Sequence, residues 1–174
     1  MQTIKPSIIF ITVFLFLTTQ VILPITMTVK NNNNLIYKIN TIKEKPQIQK
    51  VWKIEIPQIN LEAQINDGVD SINLNKYVGH FPQSGYISGN ICLAAHNRGY
   101  NVNYFANLKE LQKGDKIIYR YNNIKLTYII NQIKIIKDTN IEVIENTKEN
   151  KITLITCVEN QPELRRCIQG KLVI

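Results

Sequence analysis

Three cysteines, two histidines and two adjacent arginines are the groups in this 174-residue chain best suited to covalent chemistry. Cys157 closes the run "KITLITC", residues 151–157. The β-branched residues in that run predict a strand. Its period of two sets Thr153, Ile155 and Cys157 on one side and Ile152, Leu154 and Thr156 on the other. A cysteine at a strand end can face a cleft, where a nearby base or cation turns the thiol into a nucleophile. A buried cysteine is instead a small apolar filler. Three cysteines cannot all pair within one chain, so at least one thiol is free. A Cys157–Cys167 bridge is the competing structural use of the same residue.

A base could come from either histidine. His96 lies in "LAAHNRGY", directly after the apolar run "NICLAA". His80 lies in "VGHFPQSG", which reads as a turn flanked by glycine and proline. Both also fit as ordinary surface histidines, but a strand holds a side chain more rigidly than a turn, which favours His96. The oxyanion of an acyl-transfer reaction needs a cation or donor, and Arg165 and Arg166 are the candidates. In "ELRRCIQGKLVI", Leu164, Ile168 and Leu172 share one face with Arg166, leaving Arg165 on the other. An unpaired arginine on a core face is costly, so Arg165 is the expected functional group. A β-bulge would reverse that assignment.

Metal chemistry is not indicated: no C-x-x-C or H-x-x-x-H spacing occurs, and two histidines with three scattered cysteines make a poor zinc set. The net charge of +8 is spread through the chain as isolated lysines. No nucleic-acid-binding motif accompanies it, so nucleic acid is not an expected partner. An anionic membrane or cell wall remains compatible with it.

The elements that must position these groups follow from the pattern. Residues 1–6 form a short N-terminus carrying Lys5, and residues 7–29 contain no charge. At about 1.5 Å per residue that segment spans a bilayer core of about 30 Å, and no small-residue cleavage site follows it. It is expected to be an uncleaved transmembrane signal-anchor with the N-terminus in the cytoplasm. Residues 30–50 are rich in Asn and Lys and read as a polar tether. Residues 51–174 are expected to form the folded domain. Strands are predicted at "VWKIEIP", "INLEAQI", "NICLAA", "KIIYRY", "IKLTYIINQIKII", "KITLITC" and "RRCIQGKLVI", with a turn at Asn122–Asn123. A helix is predicted within "NYFANLKELQKGD" from the spacing of Tyr104, Leu108 and Leu111, stopped by Gly114. The expected architecture is mostly β: a closed barrel of seven or eight strands with one or two short helices.

These residues carry a family resemblance. "TLITC" resembles the T-L-x-T-C signature of the sortases, the transpeptidases of Gram-positive cell surfaces. "IEIPQINLEAQINDGV" resembles the family's first two strands, and "YVGHFPQSGYISGNICLAAHNRG" the stretch leading to its catalytic histidine. "YFANLKELQKGDKI" and "RRCIQGKLV" resemble the helix that follows and the arginine-bearing strand. The order is the family's own from about Val51 onward, and the histidine loop and short length are similar to housekeeping-like or class D and E members.

By position, the resemblance implies Cys157 as nucleophile, His96 as acid/base and Arg165 as oxyanion or substrate-positioning arginine. It implies cleavage of an LPxTG-like sorting signal on a secreted protein through a thioester. An amine of a peptidoglycan precursor or a pilin then resolves that thioester. It also implies single-pass anchoring in the cell membrane with the catalytic domain outside. The chemistry needs no metal or organic cofactor. Some members use calcium, and no carboxylate cluster here compels it. The competing functions are a thiol hydrolase with water as acceptor, and a wall-binding module in which Cys157 is structural.

Overall fold

The computed structural model describes residues 51–173. The segments read as N-terminus (1–6), anchor (7–29) and tether (30–50) lie outside them. No helix among the described residues is long and apolar enough to cross a membrane.

Eight strands close a barrel: β1 (Trp52–Ile56), β2 (Leu61–Asp67), β3 (Val78–His80), β4 (Asn90–Ala94), β5 (Lys116–Tyr121), β6 (Ile124–Lys137), β7 (Lys151–Val158) and β8 (Gln161–Leu172). Their order around the barrel is β1-β2-β3-β4-β7-β8-β6-β5. Closure removes the edges that a sheet of this size would otherwise expose. Most neighbours are antiparallel, but β2–β3 and β4–β7 are parallel. The β4–β7 contact brings the strand before His96 against the strand that carries Cys157 near its end.

Alternation sets the core. Trp52, Ile54 and Ile56 of β1, Ile152 and Leu154 of β7, and Ile168 of β8 all point inward. In β6 the inward set changes parity, from Tyr128 and Ile130 to Ile133, because the pairing register slips between Ile130 and Gln132. An extra residue in one strand is what such a slip requires. The β5–β6 and β7–β8 hairpins turn tightly, with Asn122 and Asn160 at positive φ, a conformation that asparagine tolerates better than most residues. A smaller apolar cluster of Val143, Ile155 and Cys167 lies apart from the main core, with Phe81, Ala94, Ile136 and Ile144 packed on it. Asn90 holds this layer in place. Its side-chain amide donates to the Val143 and Glu145 carbonyls, and its Oδ1 accepts from Thr153 Oγ1.

Two expectations are corrected here, and one competing alternative falls away. The helix predicted over "NYFANLKELQKGD" is a 3-10 segment, Ala106–Glu110. The buried residues are Phe105, Leu108 and Leu111, spaced by three, and the amides of Leu108 and Leu111 bond to carbonyls three residues back. That spacing suits three residues per turn better than 3.6. His80 is not in a turn: it ends β3 and is fully buried. β3 is only three residues long, and Gly79 within it has no room for a side chain, since a Cβ would collide with the Gly68 carbonyl. The helix of the fold, α1 (Ser71–Leu74), has Asp70 as its cap, with Oδ1 accepting from the Asn73 amide. The Cys157–Cys167 bridge is also absent, all three cysteines being free. Cys167 pairs across the ladder with Ile155 and is buried, while Cys157 faces Arg165.

Candidate active site

The fold brings three side chains to one cleft. β4 and β7 are parallel with Ala94 opposite Ile155, and the Ala95 amide donates to the Ile155 carbonyl at 3.4 Å. His96 follows two residues past the end of β4 and lines the same cleft as Cys157. On the other side, Cys157 stands directly opposite Arg165 of β8, so both project from the same face of the ribbon. The register irregularity in this hairpin falls between Cys157 and Val158, beyond the pair, and Arg165 keeps the face that alternation assigns it. Cys157, His96 and Arg165 line one cleft of about 500 Å³.

Each group has its own support. Thr156 Oγ1 donates to the Ala95 carbonyl at 2.8 Å, tying β7 to the exit of β4. Asn97 Nδ2 donates to the Cys157 carbonyl at 2.8 Å, a further tie one residue past His96. The His96 ring stacks on Tyr100, centroids 3.5 Å apart and planes within 8° of parallel. His96 Nε2 is shielded from solvent and has no hydrogen-bond partner among the described residues. Burial lowers the proton affinity of His96 below the usual imidazole value. The Arg165 guanidinium donates from Nη1 to the Pro162 carbonyl at 2.6 Å and the Leu164 carbonyl at 2.8 Å, with Asp138 at 3.7 Å from Nη2.

Of the three thiols, only Cys157 is exposed. Burial pushes Cys92 up to about 12 and Cys167 up to about 11, so both stay protonated and inert at neutral pH. Among the described residues no group of three or more His, Cys, Asp or Glu side chains stands close enough to hold a metal.

His80 is remote in character from this site. Its Nδ1 lies 2.8 Å from Asp67 Oδ1, and its Nε2 lies 3.0 Å from the Gly85 carbonyl and 3.1 Å from Ser84 Oγ. Its ring packs against Trp52 and Tyr86. The Ser–His–Asp arrangement has the parts of a hydrolytic triad, but Ser84 and His80 are both buried, and Ser84 Oγ already donates to the Phe81 carbonyl and accepts from the Cys92 amide. It is a structural tie. Truncating His80 to Ala therefore should cost about 2–4 kcal/mol of stability, from a cavity and stranded buried polar groups. Urea unfolding of the purified domain measures it, and a loss under about 0.5 kcal/mol, the range of ordinary surface changes, would contradict the structural role.

Sequence alone missed Asn97, Tyr100 and Asp138. "HNRGY" carried a signal only in its closeness to His96, and nothing local marked Asp138.

Residues 54–173 match the sortase domain family. Sortase D of Bacillus subtilis is 37% identical over 129 residues, covering 69% of this chain and 62% of that protein. Sortase A of Bacillus anthracis is 29% identical over 136 residues, covering 77% and 64%. Among solved structures, sortase C1 of Streptococcus agalactiae superposes with a TM-score of 0.67 at 27% identity, covering 72% of this chain and 68% of that one. Sortase C-1 of Actinomyces oris gives 0.66 at 28% identity, covering 71% of each. The chain belongs to the sortase family, whose members are cysteine transpeptidases acting on sorting signals. The matched region spans less than two thirds of the length of the two Bacillus relatives.

Proposed function

We propose that this chain is a cysteine transpeptidase that cleaves an LPxTG-like sorting signal and joins the released acyl group to an amine of a peptidoglycan precursor or a pilin. The observation that carries the reading is the cleft shared by His96, just past β4, Cys157 of β7 and Arg165 of β8, built around the one exposed thiol. His96 takes the Cys157 proton, and the thiolate attacks the Thr–Gly carbonyl carbon. Charge develops on the carbonyl oxygen, where Arg165 stabilises it. As the C–N bond breaks, His96 returns the proton to the leaving amine and a thioester remains. An incoming amine loses a proton to His96, bonds to the acyl carbon and expels Cys157 as the thiolate. The apolar cleft walls, Val69, Leu74, Phe81 and Ile155 among them, suit the Leu–Pro portion of such a signal. The test is a panel of sorting peptides offered with an amine: ligated product supports the transpeptidase, and cleavage that ignores added amine supports a hydrolase.

In this reading residues 7–29 anchor the chain in the cell membrane in a single pass, and the domain that follows works outside the cell. Deleting residues 1–50 should then leave a soluble, active domain, because the described residues close the barrel and supply its apolar core. Size-exclusion chromatography with the peptide assay measures this, and an inactive but folded product would make the N-terminal segment part of the active unit.

Arg165→Ala should lower kcat by about 10²–10³-fold, as loss of one oxyanion donor does elsewhere. Arg165→Lys should not restore it, since the charge returns without the planar fork of donors. Steady-state kinetics on a sorting peptide decides, and a fully active Arg165→Lys would remove Arg165 from the mechanism.

A further inference from the structure

Two clefts meet at Cys157. The first holds His96 and Arg165. The second, of about 330 Å³, shares Thr156, Cys157 and Val158 with the first and adds Arg166 of β8, with Phe105, Lys109 and Arg98 from the segment after β4. Its charged lining comprises Arg98, Lys109 and Arg166 against Glu159 alone. Arg98 is already paired, at 3.3 Å from Glu159 and 3.3 Å from Asn160 Oδ1. Arg166 and Lys109 are not: neither makes an ion pair or side-chain hydrogen bond among the described residues. Arg166 is half-buried on the core-facing side of β8, where an uncompensated guanidinium is costly. Both clefts are basic and share Arg98; the first adds Arg165 among largely apolar walls, whereas the second adds Lys109 and Arg166, the two cations without a partner.

Transfer through a single sulfur has a geometric requirement. The acceptor must reach the acyl carbon while the acyl chain still fills its own cleft. We infer that the second cleft receives the acceptor, and that this acceptor is an amine whose skeleton also carries a carboxylate, gripped by Arg166 with Lys109. The inference rests on the transpeptidase reading above. The amine nitrogen bonds to the thioester carbon, the C–S bond breaks, Cys157 departs as thiolate and His96 takes the nitrogen's proton. The carboxylate takes no part in bond making; it positions the amine. A guanidinium fork matches a carboxylate in two parallel hydrogen bonds, and the pairing strengthens in a partly desolvated cleft.

The test uses the 174-residue chain in detergent, with a sorting peptide that it cleaves. The two acceptors are Nα-acetyl-lysine and Nα-acetyl-lysinamide. Their reacting ε-amine is the same, and they differ only in a distant carboxylate. Ligated product is quantified by mass spectrometry. The carboxylate acceptor should show a KM lower by about tenfold at similar kcat, the size of one charge-assisted contact. Arg166→Gln should erase that preference by raising KM for the carboxylate acceptor. Lys109→Gln, at an exposed position that tolerates substitution, should reduce it and serves if Arg166→Gln fails to fold. Equal KM values for the two acceptors in the native chain would overturn the inference, as would a preference surviving both substitutions. Thioester formation without acceptor is read in parallel. Its absence in the native chain refutes the transpeptidase reading itself, whereas its presence without a carboxylate preference refutes this inference alone.

Discussion

Cys157→Ala removes cleavage of a sorting peptide by more than about 10⁴-fold, the scale on which loss of a nucleophile acts. It leaves stability within about 0.5 kcal/mol, as exposed substitutions do. Both halves follow from position. In the proposed mechanism the thiol is the attacking atom, and nothing in the cleft replaces it. It is also exposed at a strand end, so its loss opens no cavity. Cys92 and Cys167 predict the reverse. Both are buried at 0% exposure, so Cys92→Ala and Cys167→Ala should lower stability while cleavage persists. Peptide cleavage and urea unfolding, measured on the three variants together, give a double dissociation. An active Cys157→Ala beside an inactive, folded Cys92→Ala would place the nucleophile elsewhere.

The second large effect is at His96. His96→Ala should lower kcat/KM by about 10²–10⁴-fold, the range for a general acid–base group, with the fold retained. Burial holds the ring's proton affinity below its ordinary value, which favours the neutral imidazole that the proposed proton transfer from Cys157 requires. The same shift has a stability consequence. In the unfolded chain His96 binds its proton at the ordinary value; in the fold it does so only at lower pH. The stability tied to His96 is therefore complete above the ordinary histidine range and is lost as pH falls through the folded value. An NMR titration should give a midpoint below 6.5 for this residue. A midpoint above that value, or equal kinetic losses in His96→Ala and His80→Ala with both folded, would contradict the assignment.

Alternation made much of this legible before the fold was known. "VWKIEIP" carries a clean period-two pattern, and its inward residues are the ones the barrel buries, whereas "KITLITC" is buried on both faces from Ile152 to Thr156. The same parity separated Arg165 from Arg166, and the β7–β8 register sets Arg165 opposite Cys157. Their catalytic roles are the proposal that the variants above test. What stayed hidden was short or non-local. β3 has three residues and α1 four, too few to show a period. The burial of His80 depends on Asp67, Ser84 and Gly85 converging from different elements. Asn97 reaches Cys157 across sixty residues of sequence, and such a pairing appears only when β4 and β7 lie side by side. Leu164, assigned to the core face with Ile168 and Leu172, is half-buried beyond the main core, because β8 extends past the barrel interior there.

The most direct measurement of the central claim is the mass of the acyl-enzyme. The chain is incubated with a cleavable sorting peptide without amine, quenched in acid, and analysed intact and after digestion. The expected result is an adduct equal to the peptide's acyl portion, mapped to Cys157, absent from Cys92 and Cys167, and discharged into ligated product when an amine is added. Cleavage without any adduct on Cys157, or an adduct on another residue that discharges at the same rate, would contradict it.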